Sequence, residues 1–137
     1  MGELSLIAVS DRQQKSAVID EDHLARMTLG DESLEREVLR IFARQTILML
    51  ARIADAGPAC AAAGAHTLKG SALGIGSWRV AEAAGRVEEA VARDDLHGFK
   101  AAIAKLEVAC SEVRMAIHER YGEAAEADSL SGGAFAH

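Results

Sequence analysis

Apolar side chains recur every three or four positions along most of this 137-residue chain. That spacing places them on one face of an α-helix, and no stretch shows the strict alternation of apolar and polar residues that is typical of a strand. The helices that the pattern predicts cover about 18–30, 32–56, 58–74, 78–93 and 96–121. We therefore predict an all-α protein.

Residues that start or end helices separate these five segments. Short polar side chains cap helix N-termini, and proline is tolerated in the first helical turn. Such residues stand at the start of every segment: Asp20, Asp31, Pro58, Ser77 and the pair Asp94-Asp95. Gly30, Gly57 and the sequence GIGS over 74–77 interrupt the pattern between segments. The clearest apolar stripes are Leu34, Val38, Ile41, Phe42, Leu48, Met49 and Ile53 on the second helix, and Leu96, Phe99, Ile103, Leu106, Cys110, Val113 and Ile117 on the last.

The links between the four longer helices are short, which makes consecutive helices antiparallel neighbours. We therefore predict an antiparallel up-and-down four-helix bundle with a short additional N-terminal helix, formed by residues 18–122. Residues 1–17 have weak periodicity and are assigned only as an N-terminal arm. Residues 123–137 have no apolar stripe, and we expect them to form a mobile tail.

Charge and cysteine content narrow the classes of function. The chain has 15 lysine and arginine residues against 21 aspartate and glutamate residues, a formal net charge of −6. Because no basic stripe is visible, neither nucleic acid nor a membrane surface is an expected partner. No apolar run approaches the roughly 20 residues that span a bilayer, and the N-terminus does not resemble a secretory signal. Cys60 and Cys110, expected in the core, are not closely paired, which indicates a reducing, cytoplasmic location and no zinc site.

One stretch of the third helix, AHTLKGSALGIG over 65–76, carries a histidine and a lysine among small or apolar residues. On a helical wheel Ala61, Leu68 and Ala72 lie on the side that faces the core. The opposite side carries Ala59, Ala62, His66, Lys69, Gly70 and Leu73. His66 and Lys69 are helical neighbours because three residues separate them.

These residue types fit covalent phosphoryl transfer. A neutral imidazole is a nucleophile near physiological pH, since its ordinary pKa is about 6.5, and its attack on an activated phosphoryl group gives a phosphohistidine. The ammonium group of Lys69 would stabilise the charge on that group. Gly70 disfavours the helix by about 0.5–1 kcal/mol relative to alanine, which makes sense if a partner approaches the backbone beside His66.

The fourth helix supplies a predicted partner for the imidazole. If the third and fourth helices form a hairpin that turns near Ser77, then His66 and Glu88, each eleven residues from the turn, lie side by side. A carboxylate that accepts one imidazole N–H fixes the tautomer and leaves the other nitrogen to react. Which ring nitrogen donates to Glu88 and which one reacts stays open at this point.

The sequence AHTLKGSALGIGSWRVAEAAGRVEEAV resembles the signature of histidine-containing phosphotransfer (HPt) domains of two-component phosphorelays. The likeness covers His-x-x-Lys-Gly-Ser, a glycine ten residues after the histidine (Gly76) and an acidic residue twenty-two after it (Glu88). The resemblance implies that His66 accepts a phosphoryl group from a receiver-domain phospho-aspartate, in some cases on a hybrid histidine kinase, and passes it to another receiver. It implies that Lys69 stabilises the phosphoryl group, that Gly70 permits close approach and that Glu88 orients His66.

The same resemblance implies a phosphocarrier and not an autonomous kinase. It also implies that the protein has no metal or cofactor of its own, since the partner receiver supplies Mg²⁺. We expect a monomer that docks receivers through Ala59, Ala62, Gly70 and Leu73. Two alternatives stay open: a module that sequesters a receiver without relaying phosphate, and a truncated dimeric histidine-kinase phosphoacceptor module. Trp78, near the hairpin turn, is interpreted as a packing residue, and Asp20-Glu21-Asp22 with His23 as a helix start and not a metal site.

Overall fold

The structure, a computed structural model, describes residues 17–55 and 57–122. This part of the chain contains α-helices and no strand, so the all-α prediction is confirmed. The helices are α1 (Glu21–Met27), α2 (Glu32–Asp55), α3 (Pro58–Ile75), α4 (Trp78–Ala92) and α5 (Leu96–Tyr121). Within the same ranges no helix combines the length and the apolar character needed to cross a bilayer. The expected arm and tail fall, apart from Ala17, in residues 1–16 and 123–137, outside the described residues.

Each of the four longer helices packs against two of the other three long helices. α3 contacts α2 and α4, α5 contacts α4 and α2, and α1 lies against α3. The core between them is built mainly from fully buried aliphatic side chains and Phe42. α3 contributes small residues to it, because Ala61, Ala65 and Ala72 are buried beside Leu68. Small side chains let neighbouring helices approach α3 closely.

Three of the predicted caps are confirmed and one is not. The side chains of Asp20, Asp31 and Asp95 each accept a hydrogen bond from a backbone N–H three residues on, at 2.9–3.1 Å. Ser77 occupies the N-cap position of α4, but its side chain makes no capping bond. Its hydroxyl is buried, and no hydrogen-bond partner for it lies among the described residues. The predicted capping role of Ser77 is therefore wrong, although the helix begins where expected.

The apolar stripe predicted for α2 is wider than the face that its neighbours cover. Leu34, Ile41 and Leu48 are 42%, 52% and 60% exposed. Leu39 and Thr46, which were not part of the predicted stripe, are buried instead. Thr46 is satisfied there, because its hydroxyl donates to the carbonyl of Ala43 and accepts from Arg114. Leu96, at the first position of α5, is likewise 63% exposed.

The two cysteines differ in their surroundings, and both are free thiols. Cys110 is buried in the core as predicted, and burial raises the pKa of its thiol to about 11 because the thiolate is poorly solvated there. Cys60 lies exposed in the first turn of α3, so its predicted core position is wrong.

The turn between α3 and α4 anchors α1. Gly76 ends α3 in the left-handed conformation, with φ +83°. Its carbonyl accepts a hydrogen bond from the backbone N–H of Asp20 (3.0 Å), whose carboxylate accepts one from Nε1 of Trp78 (3.0 Å). The His23 ring stands edge-on to Trp78, with centroids 4.9 Å apart. Trp78 is half-buried and packs against the start of α1, in agreement with its interpretation as a packing residue.

We expect the substitution Gly76→Ala to lower the free energy of unfolding by about 1–3 kcal/mol, because the left-handed conformation strains any residue with a Cβ atom. A Cβ atom there would also lie 3.0 Å from Cβ and 3.1 Å from the carbonyl oxygen of Asp20. Gly74→Ala is the matched control. Gly74 lies inside α3 with open space around it, so alanine should stabilise the protein by about 0.5–1 kcal/mol. Urea unfolding followed by Trp78 fluorescence measures both, and equal midpoints would contradict the expectation.

Asp20 should make part of this stability depend on pH. Burial alone raises the pKa of its carboxyl, but the hydrogen bonds from His23 N–H and Trp78 outweigh burial and hold the pKa below its usual value. A lowered pKa in the folded state stabilises the protein above the ordinary value of about 3.9, and this contribution is lost as the pH falls through the lowered pKa. We expect Asp20→Ala to destabilise the protein by about 1–2 kcal/mol at pH 7. Acid titration of unfolding should show this difference shrinking below the ordinary carboxyl pKa; a constant difference would contradict it.

Candidate functional site

His66 lies on the outward face of α3. The inner face of that helix is the buried row that contains Ala65 and Leu68, and the side chain of His66 is 71% exposed. The helical-wheel prediction that this histidine points away from the core is therefore confirmed. Among residues 17–55 and 57–122, no element covers the ring against a large partner.

Glu88 holds the imidazole from the neighbouring helix α4. Its Oε2 lies 2.9 Å from Nδ1 of His66, as the count of eleven residues to each side of Ser77 predicted. An ionised carboxylate only accepts hydrogen bonds, so Nδ1 must carry the proton. The neutral ring then keeps its lone pair on Nε2. The geometry thus assigns the two ring nitrogens, which the sequence left open.

Lys69 contacts the same carboxylate, which the sequence analysis did not foresee. Its Nζ lies 2.7 Å from Oε1 of Glu88. Oε1 is shielded from solvent, so the ammonium group of Lys69 is the charge that balances it. Burial alone raises the pKa of Glu88, but the contacts with Lys69 and His66 outweigh it and keep the pKa below its usual value. Glu88 is therefore an ionised bridge between the cation and the imidazole.

Gly85 borders this bridge from α4. A Cβ atom at Gly85 would lie 3.8 Å from Cδ of Lys69, which is ordinary van der Waals distance. The stem of Lys69 thus runs beside Gly85 on its way to Glu88. We gave Gly85 no role from the sequence; its place three residues before Glu88, on the same face of α4, was the available signal.

The expected docking residues lie around His66 on α3. Ala59, Gly70 and Leu73 are exposed, and Ala62 is half-buried. Open space surrounds the Cβ positions of both Gly70 and Gly74, whereas a Cβ atom at Gly64 would come within 3.2 Å of Ile53. Close packing against Ile53 thus explains why glycine occupies position 64. No contact among the described residues requires glycine at position 70 or 74. Gly74, which the sequence analysis counted in the interruption GIGS between two helices, lies inside α3, and Gly76 makes the turn.

The site offers a nucleophile, an orienting carboxylate and a cation within one exposed cluster. In the two ranges that the structure describes, no three His, Cys, Asp or Glu side chains group as metal ligands would. Comparison of the chain with protein-family models, curated proteins and solved structures gives no match. The contacts of His66, Lys69 and Glu88 are therefore what a functional proposal has to rest on.

Proposed function

We propose that this protein is a phosphorelay carrier of the HPt type. His66 accepts a phosphoryl group from the phospho-aspartate of one receiver domain and passes it to the aspartate of another. The observation that carries the proposal is the exposed imidazole whose Nδ1 is held by Glu88, so that Nε2 keeps its lone pair. Lys69, one helical turn away, supplies a positive charge at the same cluster.

In the forward step, Nε2 of His66 attacks phosphorus while the bond between phosphorus and the aspartyl oxygen breaks. The electron pair of the broken bond returns to the receiver's carboxylate, and the new P–N bond leaves positive charge on the ring, whose Nδ1 keeps its proton. Glu88 balances that positive charge, and Lys69 stabilises the negative charge on the phosphoryl oxygens. The second transfer reverses these steps on another receiver. Mg²⁺ and the acidic pocket belong to the receiver, so the carrier needs no cofactor and has no kinase activity of its own.

We also propose that α2 to α5 form an antiparallel up-and-down bundle within a domain over 18–122. The cyclic order of contacts, from α2 through α3 and α4 to α5 and back to α2, supports this arrangement. The two-residue link before Trp78 and the three-residue link before Leu96 support it further, because short links are typical of antiparallel neighbours. The two free cysteines are consistent with a reducing, cytoplasmic location.

The docking face that we propose includes the outward side of α3 and the adjacent apolar row of α2. Ala59, Ala62, Gly70 and Leu73 surround His66, and Gly70 and Gly74 leave the backbone open to a partner. Small residues give contact area but little binding energy, whereas exposed Ile41 and Leu48 can bury apolar surface. The contact of Ile53 with Gly64 sets α2 beside the half of α3 that carries His66. A monomer leaves this whole face free.

Label transfer tests the proposal. The purified chain is mixed with a Mg²⁺-loaded receiver domain that carries a labelled phospho-aspartate, and binding is measured in parallel. We expect label on the chain that is stable to base and labile to acid, as a phosphoramidate is. Binding without label across a panel of receivers would reject the relay and support the sequestering module. Sedimentation of the free chain as a dimer would support the histidine-kinase phosphoacceptor module.

A further inference from the structure

The ion pair between Lys69 and Glu88 exists before any phosphoryl group arrives. We propose that Lys69 is a positioning residue in the resting protein: its ammonium group holds Glu88 in the orientation that binds Nδ1 of His66. Lys69 thereby decides which ring nitrogen is free to react. The consequence for transfer rests on the proposed function of His66, but the contacts themselves belong to the unphosphorylated chain.

The environment of Oε1 of Glu88 is the first support. This oxygen is shielded from solvent, and Nζ of Lys69 lies 2.7 Å from it. A carboxylate oxygen without water needs a cation or a donor, and leaving it without one is strongly unfavourable. If the ammonium group were removed while its cover stayed in place, Glu88 would turn to bring Oε1 into water. That rotation would withdraw Oε2 from Nδ1 of His66.

The second support is that the two oxygens of the Glu88 carboxylate have different partners. Oε1 faces Lys69 and Oε2 faces His66, so the ammonium group and the ring do not compete for one acceptor. The side chain of Glu88 is 25% exposed, and a glutamate at a helix surface can occupy several staggered rotamers. Two simultaneous contacts select one of them. A carboxylate held only by an exposed imidazole would lack the second constraint.

Two simpler roles for Lys69 predict a different outcome. If Lys69 only met the phosphoryl group, the resting ring would not depend on it. If only the packing of its stem beside Gly85 mattered, a methionine of similar length would replace it without effect. The substitution Lys69→Met separates the proposal from both of these roles, because it keeps most of the aliphatic stem and removes the charge.

The test is nitrogen-15 NMR of the imidazole in the full, unphosphorylated chain, at a pH where the ring is neutral. In the wild type we expect the proton on Nδ1 of His66. In Lys69→Met the ratio of the Nδ1–H to the Nε2–H tautomer should fall about fivefold, the change that corresponds to the loss of one hydrogen bond. Lys69→Arg should restore the wild-type ratio. Lys105→Met, the same chemical change at an exposed position of α5, should leave it unaltered.

An unchanged tautomer ratio in Lys69→Met, together with a changed ratio in Glu88→Ala, would overturn the proposal, because Glu88 would then be positioned without Lys69. Equal changes in Lys69→Met and Lys69→Arg would overturn it too, since charge would not be the cause. No phosphoryl group enters this experiment. Its failure therefore leaves the relay standing, and failure of label transfer leaves the tautomer result standing.

Discussion

Replacing His66 by glutamine is expected to reduce phosphoryl acceptance from a receiver by at least about 10³-fold, because the nucleophile itself is lost. Glutamine has no lone pair of comparable reactivity at the position of Nε2, while its amide N–H can still donate to Glu88. The side chain is 71% exposed, so we expect folding to be unaffected. The measurement is the initial rate of label transfer from a phosphorylated receiver, with receiver binding determined alongside.

His97→Gln is the matched control for this substitution. His97 is exposed near the start of α5, and we assign it no role. Its variant should accept label at the wild-type rate. Undiminished labelling of the His66→Gln protein would place the acceptor elsewhere. Loss of labelling in both variants would indicate that the effect does not come from the nucleophile.

The second large effect is expected from Gly70→Gln, which should slow phosphoryl transfer by about 10–100-fold while leaving the fold intact. No heavy atom of the described residues lies within 4 Å of a Cβ atom at Gly70, so the new side chain starts in open space on the surface beside His66. The glutamine side chain would hold a docked receiver away from Nε2 of His66. A displacement of about 1 Å is enough to reduce a transfer rate about 10²-fold. Removing glycine from a helix interior should at the same time stabilise the protein by about 0.5–1 kcal/mol.

A rate loss combined with raised stability distinguishes docking from a structural defect. Ala104→Gln, which adds the same side chain to an exposed position of α5, serves as the control and should transfer at the wild-type rate. If Gly70→Gln accepts label as fast as the wild type, the receiver does not approach this part of α3. Transfer rate and urea midpoint should be measured on the same preparations.

The helices and the central contact of the site follow from the sequence because they depend on local rules. Periodicity and caps place each helix within a few residues, and counting outward from Ser77 brings His66 to Glu88. Counting residues in a hairpin works when the turn is short and both helices are regular. The turn at Gly76 meets the first condition, since one left-handed residue ends α3 and α4 begins two residues later.

What could not be predicted depends on neighbours in space. An apolar period shows which way a helix faces but not how wide a face its partners cover, and so Ile41 and Leu48 were not recognised as exposed. The wheel placed Lys69 near His66 but could not choose among lysine rotamers, one of which reaches Glu88. Gly74 looked like part of the turn because glycine ends many helices, yet only Gly76 has a positive φ there.

The most direct test of the central claim is to locate the phosphorus atom on the ring. The wild-type chain, labelled with nitrogen-15 in its histidines and phosphorylated by a receiver domain, should show phosphorus–nitrogen coupling to Nε2 of His66, with the proton still on Nδ1. That result follows from the contact between Nδ1 and Glu88. Coupling to Nδ1, or phosphorus on any other side chain, would contradict the account.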